Sequence, residues 1–229
     1  MPYESVVAVE QEYFGWPRDE MRAFLPARCG KVLEIGCGEG RFSGGIADAA
    51  ETWGIEPHAG AARAAQSRFH KVINASFEAS LAELPPRYFD TVICNDVIEH
   101  MPDHDWFLET IKTYMSPSGV LVGSIPNVRY YRNLFDLVLA KDWQYQDQGI
   151  LDRTHLRFFT EKSLRRTLRA HGFEIAAMRG INGGFSRQAL TSGVVACAAI
   201  MFSLGYFSDI RYLQFGFRAS VGAARVPMP

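Results

Sequence analysis

The chain has 229 residues, 48% of them hydrophobic, with 24 Lys and Arg against 25 Asp and Glu for a net charge of −1. That length suffices for one α/β domain with a sizeable core, and the near balance of charge excludes a general polyanion binder, so nucleic acid is not an expected partner. Cys29, Cys37, Cys94 and Cys197 are scattered without metal-ligand spacing, which predicts a reduced, cytoplasmic protein with no metal site. The opening MPYESVVAVEQEYF carries early acids and no apolar run, so no leader is expected.

In chain order, Pro17 to Leu25 reads as a helix within an N-terminal lid segment, residues 1–28. Lys31 to Ile35 reads as a first strand, with Val32, Leu33 and Ile35 apolar. The stretch KVLEIGCGEGRF then places Gly36, Gly38 and Gly40 on a turn, before a helix expected over Arg41 to Ala50. Glycines there let the backbone take unusual dihedral angles and let a ligand approach the amides. The dinucleotide fingerprint wants its third glycine where this chain has Arg41. Glu34 and Glu39 flank the loop with Arg41 alone opposing them, which disfavours a pyrophosphate. A partly cationic nucleoside suits the loop, and S-adenosyl-L-methionine, with its ammonium and sulfonium, is the expected cofactor.

TWGIEPHAG gives a second strand with Glu56 just after it, where an acid can accept both ribose hydroxyls. His58 to Phe69 is an alanine-rich helix, and a third strand ends near Asn74. Ser76 and Phe77 follow, placed to offer a hydroxyl or backbone group and an aromatic face to adenine; Phe77 as plain core is the other reading. A fourth strand, Phe89 to Cys94, runs into Asn95 and Asp96, and Asn95 is a candidate cofactor contact because open α/β sheets bind ligands at the carboxyl ends of strands. Asp103 is a candidate N-cap for a helix with Phe107, Leu108, Ile111 and Met115 on one apolar stripe, stopped by Pro117 to Gly119. Val120 to Ile125 is a fifth strand. Thr160 to His171 is a helix capped by Thr160 and ended by Gly172, Phe173 to Met178 a sixth strand and Tyr212 to Arg218 the last.

Taken in register, VLEIGCGEG, GIEP, FDTVICNDVIEHM and SPSGVLVGSIPN resemble the class I S-adenosylmethionine-dependent methyltransferases over Tyr13 to Met178, with an echo in RYLQFGFRAS. The resemblance implies an α/β fold in a single domain, residues 1–229: a Rossmann-like, doubly wound, seven-stranded sheet, mostly parallel with an antiparallel last strand. It also implies that Glu34, Gly36, Cys37 and Gly38 cradle the methionine part of the cofactor, that Glu56 holds the ribose, and that Ser76 and Phe77 flank adenine. Ser76 stands where the family often has Asp.

Two insertions carry the acceptor question. Residues 126–159 separate the fifth strand from its helix by far more than an ordinary connection, which marks a functional segment. Tyr130, Tyr131, Trp143, Tyr145, Arg129, Arg132, Arg153 and Arg157 make it able to stack on sugar faces and grip phosphates. DRTHLRFFT resembles a segment of bacterial methyltransferases of polysaccharide and glycolipid biosynthesis. The expected acceptor is thus a small molecule or glycan, most simply a hydroxyl on a saccharide or lipid-linked saccharide. A quinone-like acceptor and a catalytically silent cofactor-binding sensor are the alternatives. His100 and His155 are the candidate general bases. The second insertion, residues 183–209, holds an uncharged run from Gln188 to Ser208. A membrane span, an apolar helix lying on the inner membrane surface, burial in the fold and a homodimer interface are its open readings.

Overall fold

A computed structural model describes residues 15–184, 194 and 203–222. Most of the uncharged run 188–208 therefore lies outside the described residues, and the membrane and dimer readings attached to it lie there too. Seven strands form one sheet: β1 (Gly30–Ile35), β2 (Ala49–Ile55), β3 (Lys71–Ile73), β4 (Phe89–Asn95), β5 (Met115–Pro126), β6 (Phe173–Gly183) and β7 (Tyr212–Val221). Their order is β3-β2-β1-β4-β5-β7-β6. The first five pair in parallel, and β7 enters antiparallel between β5 and β6, giving the expected sheet. Val32, Leu33, Val92 and Ile93 at its centre are fully buried, as strands covered on both faces require.

Five α-helices lie among the described residues: α1 (Ala59–Ala65), α2 (Phe77–Ser80), α3 (His104–Ile111), α4 (Tyr131–Phe135) and α5 (Glu161–Ala170). Asp103 caps α3 by accepting from the Trp106 amide at 2.8 Å. Thr160 and Ser163 close α5 with a reciprocal capping box, and Gly172 ends it at φ 75°. Phe107, Leu108, Ile111, Leu164 and Leu168 pack into one core layer beneath the sheet, while Met21, Phe24, Phe42 and Ile46 cover β1, β4 and β5 on a second. The N-terminal segment is a 3-10 helix, Asp19–Phe24. Phe24 sits where a side chain on Gly216 would need to be, 2.5 Å from its would-be Cβ, so this segment is built into the core.

Two expectations need correction. No α-helix spans Arg41 to Ala50: the loop passes through a short 3-10 turn, Ser43–Gly45, and Ala49 already opens β2. The Gly44-Gly45 pair carries a helix penalty of about 2 kcal/mol, and β2, paired with β1 from Ala49, takes the end of the expected span. Met115 is buried as expected but begins β5, and Pro117 to Gly119 lie inside that strand instead of stopping α3.

Candidate active site

The sheet order reverses between β1 and β4, and a crevice opens there at the carboxyl ends of the strands. On one lip is the glycine loop, with Gly36, Gly38 and Gly40 at φ 67°, 53° and 76°. A Cβ on Gly40 would lie 2.4 Å from the Phe69 ring and one on Gly36 would lie 2.9 Å from Val97. The glycines therefore serve backbone conformation and close packing together. The loop amides are not available to a ligand as the sequence suggested: Gly36 and Cys37 donate to the Ile55 carbonyl at 2.8 and 3.1 Å, and Gly40 donates to Cys37 at 2.8 Å. The Gly38 amide donates to Glu56 Oε2 at 2.9 Å. With these four amides engaged and no α-helix behind it, this loop is a poor cradle for a phosphate.

What it offers is negative charge. Glu34, at the end of β1, is buried, and burial pushes its carboxyl up to about 7 against the lowering effect of Ser43, whose amide it accepts at 3.3 Å. Burial likewise raises Glu56, although the His58 amide at 2.8 Å joins that of Gly38 in stabilising its charged form. Asn74 steadies this corner by donating to the Glu56 carbonyl at 2.8 Å. The Asn95 amide, at the end of β4, has both polar atoms buried with no hydrogen-bond partner. An orphaned amide costs free energy unless something pairs with it, so Asn95 points to a polar ligand in this crevice. Cys37 turns its side chain inward against Gly54 and Phe69, leaving its backbone to the loop. Ser76 is exposed and caps α2 through Ala79 at 3.3 Å. Phe77 is buried edge-on against Phe107, centroids 4.9 Å apart, so the plain-core reading describes its place.

Sequence reading missed a polar strap across the crevice. Asp96, at φ 52°, accepts from Arg18 Nη1 at 2.5 Å, from Ser124 Oγ at 2.8 Å and from Gln214 Nε2 at 2.5 Å. Arg18 also donates to Ser124 at 2.8 Å and to Glu20 at 2.8 Å. Burial pulls the Arg18 guanidinium down, yet Asp96 and Glu20 outweigh it and hold it above its ordinary value. Four segments of the chain meet here, a juxtaposition that no local motif announces.

The insertion over residues 126–159 is pinned where it leaves and rejoins the sheet, by a bridge between Asn127 and Phe159. It then folds back over β4, with the amides of Leu156 and Arg157 donating to the Glu99 carbonyl at 2.8 and 3.2 Å. This brings His155 to His100, ring centroids 4.6 Å apart. His155 Nδ1 lies 2.9 Å from the Ile150 carbonyl, and His100 Nδ1 lies 3.3 Å from the Thr154 carbonyl and 3.0 Å from its hydroxyl. A carbonyl only accepts, so each Nδ1 carries a proton, and in the neutral form of either ring the lone pair is on Nε2. Burial, then the neighbouring His155, lowers His100 further and keeps it neutral. Beside them lies Glu99, 1% exposed, both oxygens without a hydrogen-bond partner. Burial and the charge of Asp96 hold its carboxyl well above the usual range. Glu99 was not singled out from the sequence, although it sits beside His100 in VIEHM.

The arginines of the insertion are largely committed elsewhere. Arg129 pairs with Asp209 at 2.7 Å and Arg153 with Asp147 at 3.0 Å, and Arg157 donates to the carbonyls of Leu156 and Pro102. Trp143 and Tyr145 gather around Phe158, centroids 5.4 and 6.5 Å away, and Tyr130 packs on Tyr131 at 4.6 Å. Among the described residues no helix is long and apolar enough to cross a membrane.

A doubly wound sheet with an antiparallel seventh strand, and an acidic, glycine-lined crevice at its point of reversal, defines a nucleoside-binding enzyme of the Rossmann-like class. The chain belongs to the methyltransferase domain family, whose model matches residues 11–177, and is an S-adenosylmethionine-dependent methyltransferase. It is 27% identical over 170 residues to a ubiquinone biosynthesis O-methyltransferase of Azoarcus sp., covering 69% of this chain and 72% of that one. A protein of the same name from Paraburkholderia phymatum is 30% identical over 159 residues, 66% of this chain and 67% of its own. Neither name is that of a polysaccharide or glycolipid enzyme, the association suggested by DRTHLRFFT. A SAM-dependent methyltransferase from Archaeoglobus fulgidus superposes with a TM-score of 0.63 at 17% identity, over 95% of this chain and 99% of that one. A second, from Thermotoga maritima, titled a possible histamine N-methyltransferase, gives 0.61 at 19% over 95% and 93%.

Proposed function

We propose that this methyltransferase O-methylates a ring hydroxyl on a small acceptor, and that the acceptor is a phenol of the quinol type. The observation that carries the O-methyl reading is the convergence of two imidazoles and Glu99 beside the crevice, an apparatus for managing a hydroxyl proton. The phenol is favoured over a sugar phosphate by the pairing of Arg129 and Arg153 with acids, which leaves the insertion more aromatic than cationic. The names of the relatives point the same way. A lipid-linked saccharide is the second reading, supported by the same aromatic side chains, which stack on sugar faces as well.

The residues at the crevice fit the cofactor. Asn95 supplies a buried amide that needs a partner, and Glu34 and Glu56 supply charge opposite to an ammonium and a sulfonium. We assign Glu56 to the ribose, Glu34 with the backbone carbonyls of Gly36, Cys37 and Gly38 to the methionine part, and Ser76 and Phe77 to the neighbourhood of adenine. When bound, the cofactor supplies an already activated methyl group. The chain therefore needs to hold the acceptor oxygen in line and take away its proton. Nε2 of His155 or of His100 receives that proton, and Thr154, itself donating to Asp152 Oδ1 at 2.7 Å, keeps the His100 ring in its tautomer.

The test supplies labelled donor with two acceptors, a prenylated catechol and a lipid-linked hexose, and identifies the products by mass. Label on the catechol oxygen is expected. Label on the sugar alone replaces the phenol by the second reading, and label on neither, with donor bound, overturns the O-methyl assignment.

A further inference from the structure

We propose that Glu99, His100 and His155 form a binding site for one divalent transition-metal cation of the zinc type. One ligand atom from each lies within 4.8 Å of the others, and His155 Nε2 is 4.0 Å from Glu99 Oε1. Ligands around a tetrahedral zinc stand roughly 3.3 Å apart, given metal–nitrogen bonds of about 2.0–2.1 Å, so the set closes on an ion by side-chain shifts near 1 Å.

Three further observations favour a cation over a purely structural cluster. Glu99 has neither oxygen hydrogen-bonded although the residue is 1% exposed. A structural carboxyl so placed has a partner, as Glu56 does, whereas a ligand carboxyl waits for its ion. The imidazoles are already held as metal-binding histidines are held: Nδ1 of His155 on the Ile150 carbonyl and Nδ1 of His100 on Thr154, with Thr154 fixed in turn by Asp152. The cluster is also reachable. His100 is half-buried while the other two are buried, which leaves one side of a three-ligand site open, as in catalytic zinc centres. Asp96 and Asp152 add negative field, and the guanidinium that opposes it, Arg18, is tied up by Asp96 and Glu20.

Binding of the ion stands on this geometry alone; its chemical consequence rests on the O-methyl reading. An acceptor hydroxyl in the open position would be acidified by the cation and release its proton to water, so that with the ion bound Nε2 of His100 and of His155 would be ligands and would no longer serve as the bases they are in its absence. The acceptor oxygen then forms its bond to the methyl carbon as the carbon–sulfur bond breaks, and the electron pair stays on sulfur as a neutral thioether.

The test uses untagged full chain, stripped with EDTA and dialysed, in the absence of donor and acceptor. Calorimetry with Zn2+ and visible absorption with Co2+ should show one ion per chain. Glu99→Gln and His100→Ala should each weaken binding at least about hundredfold, and Thr154→Val, which loosens the support of His100, about ten- to a hundredfold. Thermal melting of each apo variant is measured alongside; if Glu99→Gln fails to fold, half-buried His100→Ala decides. A wild-type chain that takes up no ion, or folded variants that bind as tightly as wild type, overturns the site. Because no methyl transfer is read, a wrong acceptor cannot disguise either result.

Discussion

Two buried glutamates a few ångströms from the same crevice behave in opposite ways. Glu56, 3% exposed, accepts from the amides of Gly38 and His58 and thereby shapes the glycine loop. Glu99, 1% exposed, accepts nothing through its side chain and faces two imidazoles. Equal burial with unequal partnering separates the two halves of the site. In the half we assign to the donor, the acids are held by the backbone before any ligand arrives, while the Asn95 amide waits for a partner. In the half proposed for the acceptor the carboxyl itself is left with unmet bonding capacity, and that is where we place the chemistry.

The largest effect should come from the unsatisfied half. His155→Asn preserves some hydrogen bonding to Ile150 but cannot accept a proton at neutral pH, so turnover should fall about a hundredfold to ten-thousandfold. S-adenosylhomocysteine affinity and melting temperature should stay near wild type. A loss of melting temperature with a matching loss of rate would mean that this half is structural too, and the contrast would collapse.

In the satisfied half, Glu56→Ala removes charge-assisted hydrogen bonds worth roughly 1.5–3 kcal/mol each. Calorimetry should show S-adenosylhomocysteine binding weakened by about tenfold or more, together with a lower melting temperature, because the loop loses its anchor. Unchanged affinity in a folded variant would remove Glu56 from the cofactor site.

Glu34 ties stability to pH. Its folded carboxyl is raised from 4.5 to about 7, so the folded state holds a proton that the unfolded state gives up. The stabilisation is full below about pH 4.5 and lost as pH rises through about 7, at most ~3 kcal/mol. Melting temperature should thus fall between pH 5 and 8, and Glu34→Gln should flatten that slope. Donor affinity should move the other way, rising as Glu34 ionises opposite a cation. A slope unchanged by Glu34→Gln would assign the pH dependence to another group.

The smallest effect tests the scaffold away from both halves. Thr160→Ala deletes one side of the α5 capping box and should cost about 1 kcal/mol, seen as a melting shift of a few degrees, with donor binding and turnover intact. A loss of turnover would show that α5 reaches the site through the end of the insertion.

The sheet, its point of reversal and the acids that line the crevice are legible in the chain, because each is written in a contiguous signal. Apolar runs make strands, a glycine at positive φ makes a loop, and Glu56 follows its strand directly. The sequence also determined the caps at Asp103 and Thr160, whose partners lie three residues away. The helix expected after the glycine loop failed because what ruled it out, the start of β2 at Ala49, is a pairing with β1 and not a local preference. Only the tertiary structure decided that Arg18, Asp96, Ser124 and Gln214 meet, and that His155 stands against His100 and Glu99. Those groups are brought together by backbone bonds from Leu156 and Arg157 to the Glu99 carbonyl. Contacts across such separations carry no periodicity, and a carboxylate shows itself as unpartnered only when every neighbour that might have bonded to it is in place.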